Sequence, residues 1–150
     1  MTETLELPGV LELAKNCTEL NDLEAEMRRI GPCAEPPLEH RFTHDAAGNV
    51  NLYSRTIFMP KGLICTSKIH RTEHQFVVSK GVLKVWMGGG WQLIKAPYIG
   101  ITKPGARRAL MILEDTIWTT FHPTTLTDLN EIEKALIEPH PIPCHSSLSE

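Results

Sequence analysis

From Leu38 to Pro123 the sequence keeps a two-residue beat, and no other feature limits the fold of this chain so tightly. "EHRFTHD" alternates His40, Phe42 and His44, and "AAGN" supplies a turn. "VNLYSRTIFMPKG" reads as a strand that ends at Pro60 and Gly62, and "LICTSKIH" as the next. "HQFVVSKG" and "VLKVWMGGG" follow, with the triple glycine 88–90 predicting a hairpin turn. "WQLIKAP", "YIGITKPG", "RRALMILED" and "TIWTTFHP" continue the pattern. Strand signals that recur roughly every 8–12 residues predict an all-β sandwich or barrel rather than βαβ units.

The flanks read differently. "TELNDLEAEMRRI" spaces Leu20, Leu23, Met27 and Ile30 as one face of a helix, with acids early and Arg28–Arg29 late. Gly31 and Pro32 end it. "TDLNEIEKALIE" places Leu129, Ile132, Leu136 and Ile137 on one helical face, with Thr127 as the expected N-cap. The resulting division is an N-terminal helical or extended arm (1–37), a β-barrel (38–123), a C-terminal helix (124–138) and a flexible tail (139–150) rich in proline and serine.

Composition narrows the function classes. With 150 residues and 41% hydrophobic residues, the chain suits one domain with a substantial core. A net charge of -3 and the lack of a basic stripe argue against nucleic acid or an anionic membrane as partner. No apolar run approaches the ~20 residues of a membrane span. The acidic N-terminus lacks the basic region of a signal peptide, so a cytoplasmic protein is expected. Cys17, Cys33, Cys65 and Cys144 form no C-x-x-C pair and are expected to be reduced thiols.

The chemistry concentrates in "KIHRTEHQFVVSKG", residues 68–81. Imidazoles and a carboxylate suit zinc, iron, nickel or manganese, but a metal site needs about three converging ligands. His70 and His74 give two, and His122 gives a third if its strand lies opposite. Glu73 is then a ligand, a catalytic acid or base, or a group that orients an imidazole. The plainer alternative is a solvated connection between strands.

The spacing of this stretch resembles the first motif of the cupin superfamily: glycine, five residues, H-x-H, three or four residues, E, six residues, glycine. Here Gly62 is followed by five residues, Lys68-Ile69-His70, three residues, His74, six residues and Gly81. Lys68 stands at the first histidine and His74 at the glutamate. "HRTEHQFVVSKG" is also similar to the cupin domain of bifunctional phosphomannose isomerases, with His70, Glu73 and His74 on matching residues. In "KPGARRAL" Arg108 stands at the histidine of the second cupin motif. The wider run, roughly residues 50 to 122 and the helix after it, resembles small cupin-like proteins of tailed bacteriophages, which would place the protein in a host cytoplasm. The resemblance implies a cupin-type double-stranded β-helix, or jelly roll, with short N-terminal and C-terminal helices. It also implies a homodimer.

On that fold, Lys68, one of Arg107 and Arg108, and the histidines would make an electropositive pocket for a phosphate, carboxylate or sugar phosphate. Alternatively both arginines are exposed and pair with Glu114 or Asp115. Trp118 shares the His122 face, as a stacking wall for a ligand or as core. Tyr53 and Arg55 share a face that lines the cavity mouth or meets solvent. The expected ligand-binding set is therefore Lys68, Arg108, Tyr53 and Trp118, the expected metal set His70, His74 and His122, and the candidate catalytic group Glu73. Two functions remain: a cupin-fold protein binding a small anionic ligand with a divalent metal, or a metal-free binding or interaction module without catalysis.

Overall fold

The computed structural model describes residues 36–67, 69–86 and 90–137. The expected N-terminal helix, the tail, Lys68 and three of the four cysteines lie outside them. Seven strands precede one helix: β1 (Leu38–His44), β2 (Val50–Met59), β3 (Ile64–Thr66), β4 (His74–Trp86), β5 (Trp91–Lys95), β6 (Tyr98–Thr102), β7 (Ala109–Pro123) and α1 (Leu129–Leu136). All the strand pairings are antiparallel.

Two long strands organise everything else. β4 and β7 pair with each other from Gln75–Phe121 to Trp86–Ala109. Each changes its other partner half-way. β7 is flanked by β2 in its C-terminal half and β3 in its N-terminal half, and β4 by β6 and then β5. One half of the fold thus reads β1-β2-β7-β4-β6 and the other β3-β7-β4-β5. The hydrophobic core takes Ile57, Phe76, Val78 and Trp118 from the first half and Cys65, Leu83, Val85, Ile94, Leu110 and Ile112 from the second, so the two inner faces close on each other. Removing a side chain of this size from water stabilises by ~1.5–3 kcal/mol.

Two corrections concern continuity. The segments read as four strands, 74–81 with 82–86 and 107–115 with 116–123, are two unbroken strands. Their apparent breaks are bends: register shifts between Val78 and Leu83 oppose the exposed Glu114 and Asp115. Gly81 makes the bend feasible. Its φ is +105°, and a Cβ there would lie 2.3 Å from Thr116 Oγ1 and 2.5 Å from the Asp115 carbonyl oxygen. In the other direction, the expected strand "LICTSKIH" is shorter, because only Ile64–Thr66 pair with β7.

The predicted C-terminal helix is present, capped by Asp128 rather than Thr127: the Asp128 carboxylate accepts from Glu131 N at 3.1 Å. Ile132 is its buried contact, at 2% exposure. The segment after the strands is tied down at its C-terminal end, where Arg71 N donates to Leu136 O at 2.7 Å, Arg71 Nε donates to Ile137 O at 3.1 Å, and His70 bridges Ile137. The helix therefore sits beside the histidine stretch. Among the described residues, no helix is long and apolar enough to cross a membrane.

Candidate functional site

The register of the first half sets side chains in rows across the inner face. Leu38, Ile57, Trp118, Val78 and Tyr98 lie opposite one another and form an apolar row. The next row is His40, Arg55, Thr120 and Phe76, and the one beyond is Phe42, Tyr53 and His122. The barrel is thus oily at one end and polar at the other. The period-two rule delivers this without any further device, because residues two apart share a face.

The polar end gathers aromatic and imidazole rings. His74 lies between His70 and His122, with ring centroids 4.9 Å and 4.4 Å away. His122 stacks on Tyr53 at 5.8 Å, and Tyr53 on His40 at 5.8 Å. The Tyr53 hydroxyl and His40 Nδ1 share a hydrogen bond of 2.6 Å. His74 Nδ1 donates to Thr72 O at 3.2 Å, leaving its Nε2 without a proton. His122 Nε2 is 2.8 Å from Thr120 Oγ1, and its buried Nδ1 has no hydrogen-bond partner.

Two cavities meet here. The outer one, about 290 Å³, is lined by Leu38, His40, Tyr53, Arg55, His70 and His122 from the barrel and by Ile132 and Glu133 from α1. The inner one, about 40 Å³, is lined by Ser67, His70, His74, Thr102, Arg108 and Trp118, among others. Arg55 and His70 border both. Of the two candidate arginines, Arg108 faces inward, 7% exposed, with its guanidinium 5.2 Å from the Phe76 ring centroid.

Burial and positive neighbours keep the imidazoles uncharged. Loss of hydration, then His74, Arg108 and Arg55, push His70 down to about 3. His122 is likewise lowered to about 3, by burial first, then by His74, Arg55 and His70. His74 is lowered mainly by burial, against the hydrogen bond to Thr72. Burial raises Tyr53 and so keeps its hydroxyl protonated, while it lowers Arg108.

No family model and no curated protein sequence matches the chain significantly. Solved structures do. An uncharacterised conserved protein with a double-stranded β-helix domain from Klebsiella pneumoniae is 20% identical, with 71% of this chain and 87% of that chain covered and a TM-score of 0.50. The fold is a double-stranded β-helix. Looser likenesses are an RmlC-like cupin from Shewanella frigidimarina (18% identity, 57% and 75% covered, TM-score 0.45) and KdgF from Halomonas sp. (14%, 61% and 85%, 0.46).

Within the double-stranded β-helix, the expected site residues separate into groups. His70, His74, His122, Tyr53 and Arg108 converge at the polar end of the barrel. Trp118 borders the inner cavity but is mainly core, stacked on Phe76 at 4.3 Å with 4° between the ring planes. Glu73 does not join the group. It is one residue before the inward His74, so it points outward and accepts from Lys103 Nζ at 2.8 Å on the surface. Among the described residues, no three His, Cys, Asp or Glu side chains are arranged to hold a metal ion. The physical reason is visible: Glu73 points outward, His122 directs Nε2 to Thr120, and a guanidinium stands beside the rings. His40 and Arg55 complete the site without belonging to any motif. Their one sequence signal is parity, since Arg55 is two residues from Tyr53 and His40 two from Phe42.

Proposed function

We propose that this double-stranded β-helix binds a small anionic molecule at the polar end of its barrel. The observation that carries the reading is the lining of the inner cavity, where the buried Arg108 stands with Arg55 beside the uncharged His70 and His74. A buried cation such as Arg108 is costly unless an anion offsets it. No carboxylate lines the inner cavity among the described residues. His40 and Tyr53 supply hydrogen-bonding groups at the outer cavity. On this reading the protein is a metal-free binding module.

A second reading places zinc, iron, nickel or manganese on His70, His74 and His122. One observation favours it, the buried His122 Nδ1 with no hydrogen-bond partner. A homodimer also belongs to the proposal, supported by the outward Ile99 and Ile101 of β6, 72% and 52% exposed.

Two measurements on protein purified without a histidine tag test these readings. A thermal-shift series with phosphate, sugar phosphates and small carboxylates should raise the melting temperature, since a ligand of the native state stabilises it. If no anion in the series does so, the binding reading fails. Metal content is then measured after incubation with each metal, for the wild type and the His70→Ala/His74→Ala variant. Stoichiometric metal that disappears in the variant would replace the first reading with the second.

A further inference from the structure

Arg108 is the feature that the general proposal leaves least explained. Its backbone is locked: Arg108 N donates to Ser67 Oγ at 2.8 Å, and Ser67 N donates to Arg108 O at 2.8 Å. This two-way tie fixes where the side chain enters the barrel. Arg108 as a residue is 7% exposed, its guanidinium lies against the Phe76 ring, and it borders the inner cavity. No carboxylate among the described residues pairs with it. A π-face offsets only part of the hydration that a guanidinium gives up on burial.

The size of the inner cavity selects the anion. A water needs roughly 10–15 Å³ of such volume, so about 40 Å³ holds around three water-sized atoms. A carboxylate group has three heavy atoms in one plane, and a guanidinium binds it edge to edge through two parallel hydrogen bonds. A tetrahedral phosphate has five heavy atoms and matches this space less well than a planar carboxylate. Ser67 and Thr102 line the same cavity and bring hydroxyl groups to it. Beyond Arg55 and His70 the outer cavity, about 290 Å³, offers room for a compact body between Leu38, Tyr53 and Ile132.

We infer that the ligand is a small carboxylic acid whose carboxylate sits on Arg108 in the inner cavity and whose compact, partly apolar body fills the outer one. This inference rests on the proposed anion binding in the barrel and adds the anchor and the chemical class.

The test uses benzoate, its neutral counterpart benzamide, and inorganic phosphate, each titrated at millimolar concentration into the full-length protein. Binding is read by thermal shift and by the ¹H–¹⁵N signals of the arginine side chains. Benzoate should bind, should move the Arg108 guanidinium signals, and should bind more tightly than benzamide or phosphate. Arg108→Gln should weaken benzoate about tenfold or more, the loss of a charge-assisted pair. The wild-type Arg108 signals decide the matter even where the variant folds poorly. If phosphate binds as tightly as benzoate, or benzoate binds without moving the Arg108 signals, the carboxylate anchor is wrong while barrel binding stands. If none of the three binds and no other anion stabilises the protein, both are wrong.

Discussion

Acid should unfold this protein in a pH range where most proteins lose little, and the histidine cluster should be the cause. His70 and His122 are buried and lowered to about 3 in the folded protein. In the unfolded chain they titrate near the ordinary histidine value of about 6.5. Between those two values the unfolded state binds protons that the folded state refuses. Stability is therefore unaffected by these rings above about pH 6.5 and falls as pH falls through the window from about 6.5 to 3. Each ring loses about 1.4 kcal/mol per pH unit inside the window. Integrated from pH 7.5 to 5.0, that is about 2 kcal/mol per ring and about 4 kcal/mol for the pair, against a total stability of about 5–15 kcal/mol for a typical domain. The assay is urea denaturation of EDTA-treated protein at several pH values in that interval, above the range where most carboxylates titrate. The His70→Gln/His122→Gln variant should lose about 4 kcal/mol less than the wild type across the same interval. His74 and His40 are lowered too, so some slope should remain. Equal slopes in wild type and variant would refute the reasoning, because the two rings would then be as easily protonated folded as unfolded.

Two further tests probe the frame and its surface. Gly81→Ala should cost on the order of 3 kcal/mol or more, since it combines a positive φ with a clash against Thr116 and Asp115; Gly48→Ala, at φ +88° in open space, should cost only about 1–2 kcal/mol by chemical denaturation. Glu73→Gln should change stability by less than about 0.5 kcal/mol and leave anion binding untouched in a thermal-shift titration, because the Glu73–Lys103 pair is on the surface.

Parity along the strands explains both what the sequence discloses and what it conceals. His122, Thr120 and Trp118 share a face by counting alone, and β7 keeps that count unbroken from Thr116 to His122. The same counting turns Glu73 away once His74 is inside, so a carboxylate that looks like part of a histidine motif ends in a surface ion pair. Counting fails where a bulge resets it. Gly81 and the Glu114–Asp115 pair carry the composition of turns, yet the chain bends there without leaving the sheet, because β4 and β7 hold each other across the bend. No local pattern reports that support, which is made between residues more than thirty positions apart. For Arg55 the sequence leaves two sides open, the cavity mouth and solvent, for a related reason. An arginine in an alternating strand normally marks the solvent side, and only the pairing of β2 with β1 and β7 shows that its face is the inner one. Arg108 differs again. Its position in the motif spacing was legible, as a cation at a place where a metal ligand is expected. The structure adds that it is buried and unmatched by a carboxylate among the described residues, with Phe76 beneath it. A guanidinium in that setting favours an anion and disfavours a metal ion on the adjacent imidazoles, since the two positive charges would repel across a site of low polarity. A metal ion should therefore bind these imidazoles weakly unless an anion on Arg108 offsets its charge.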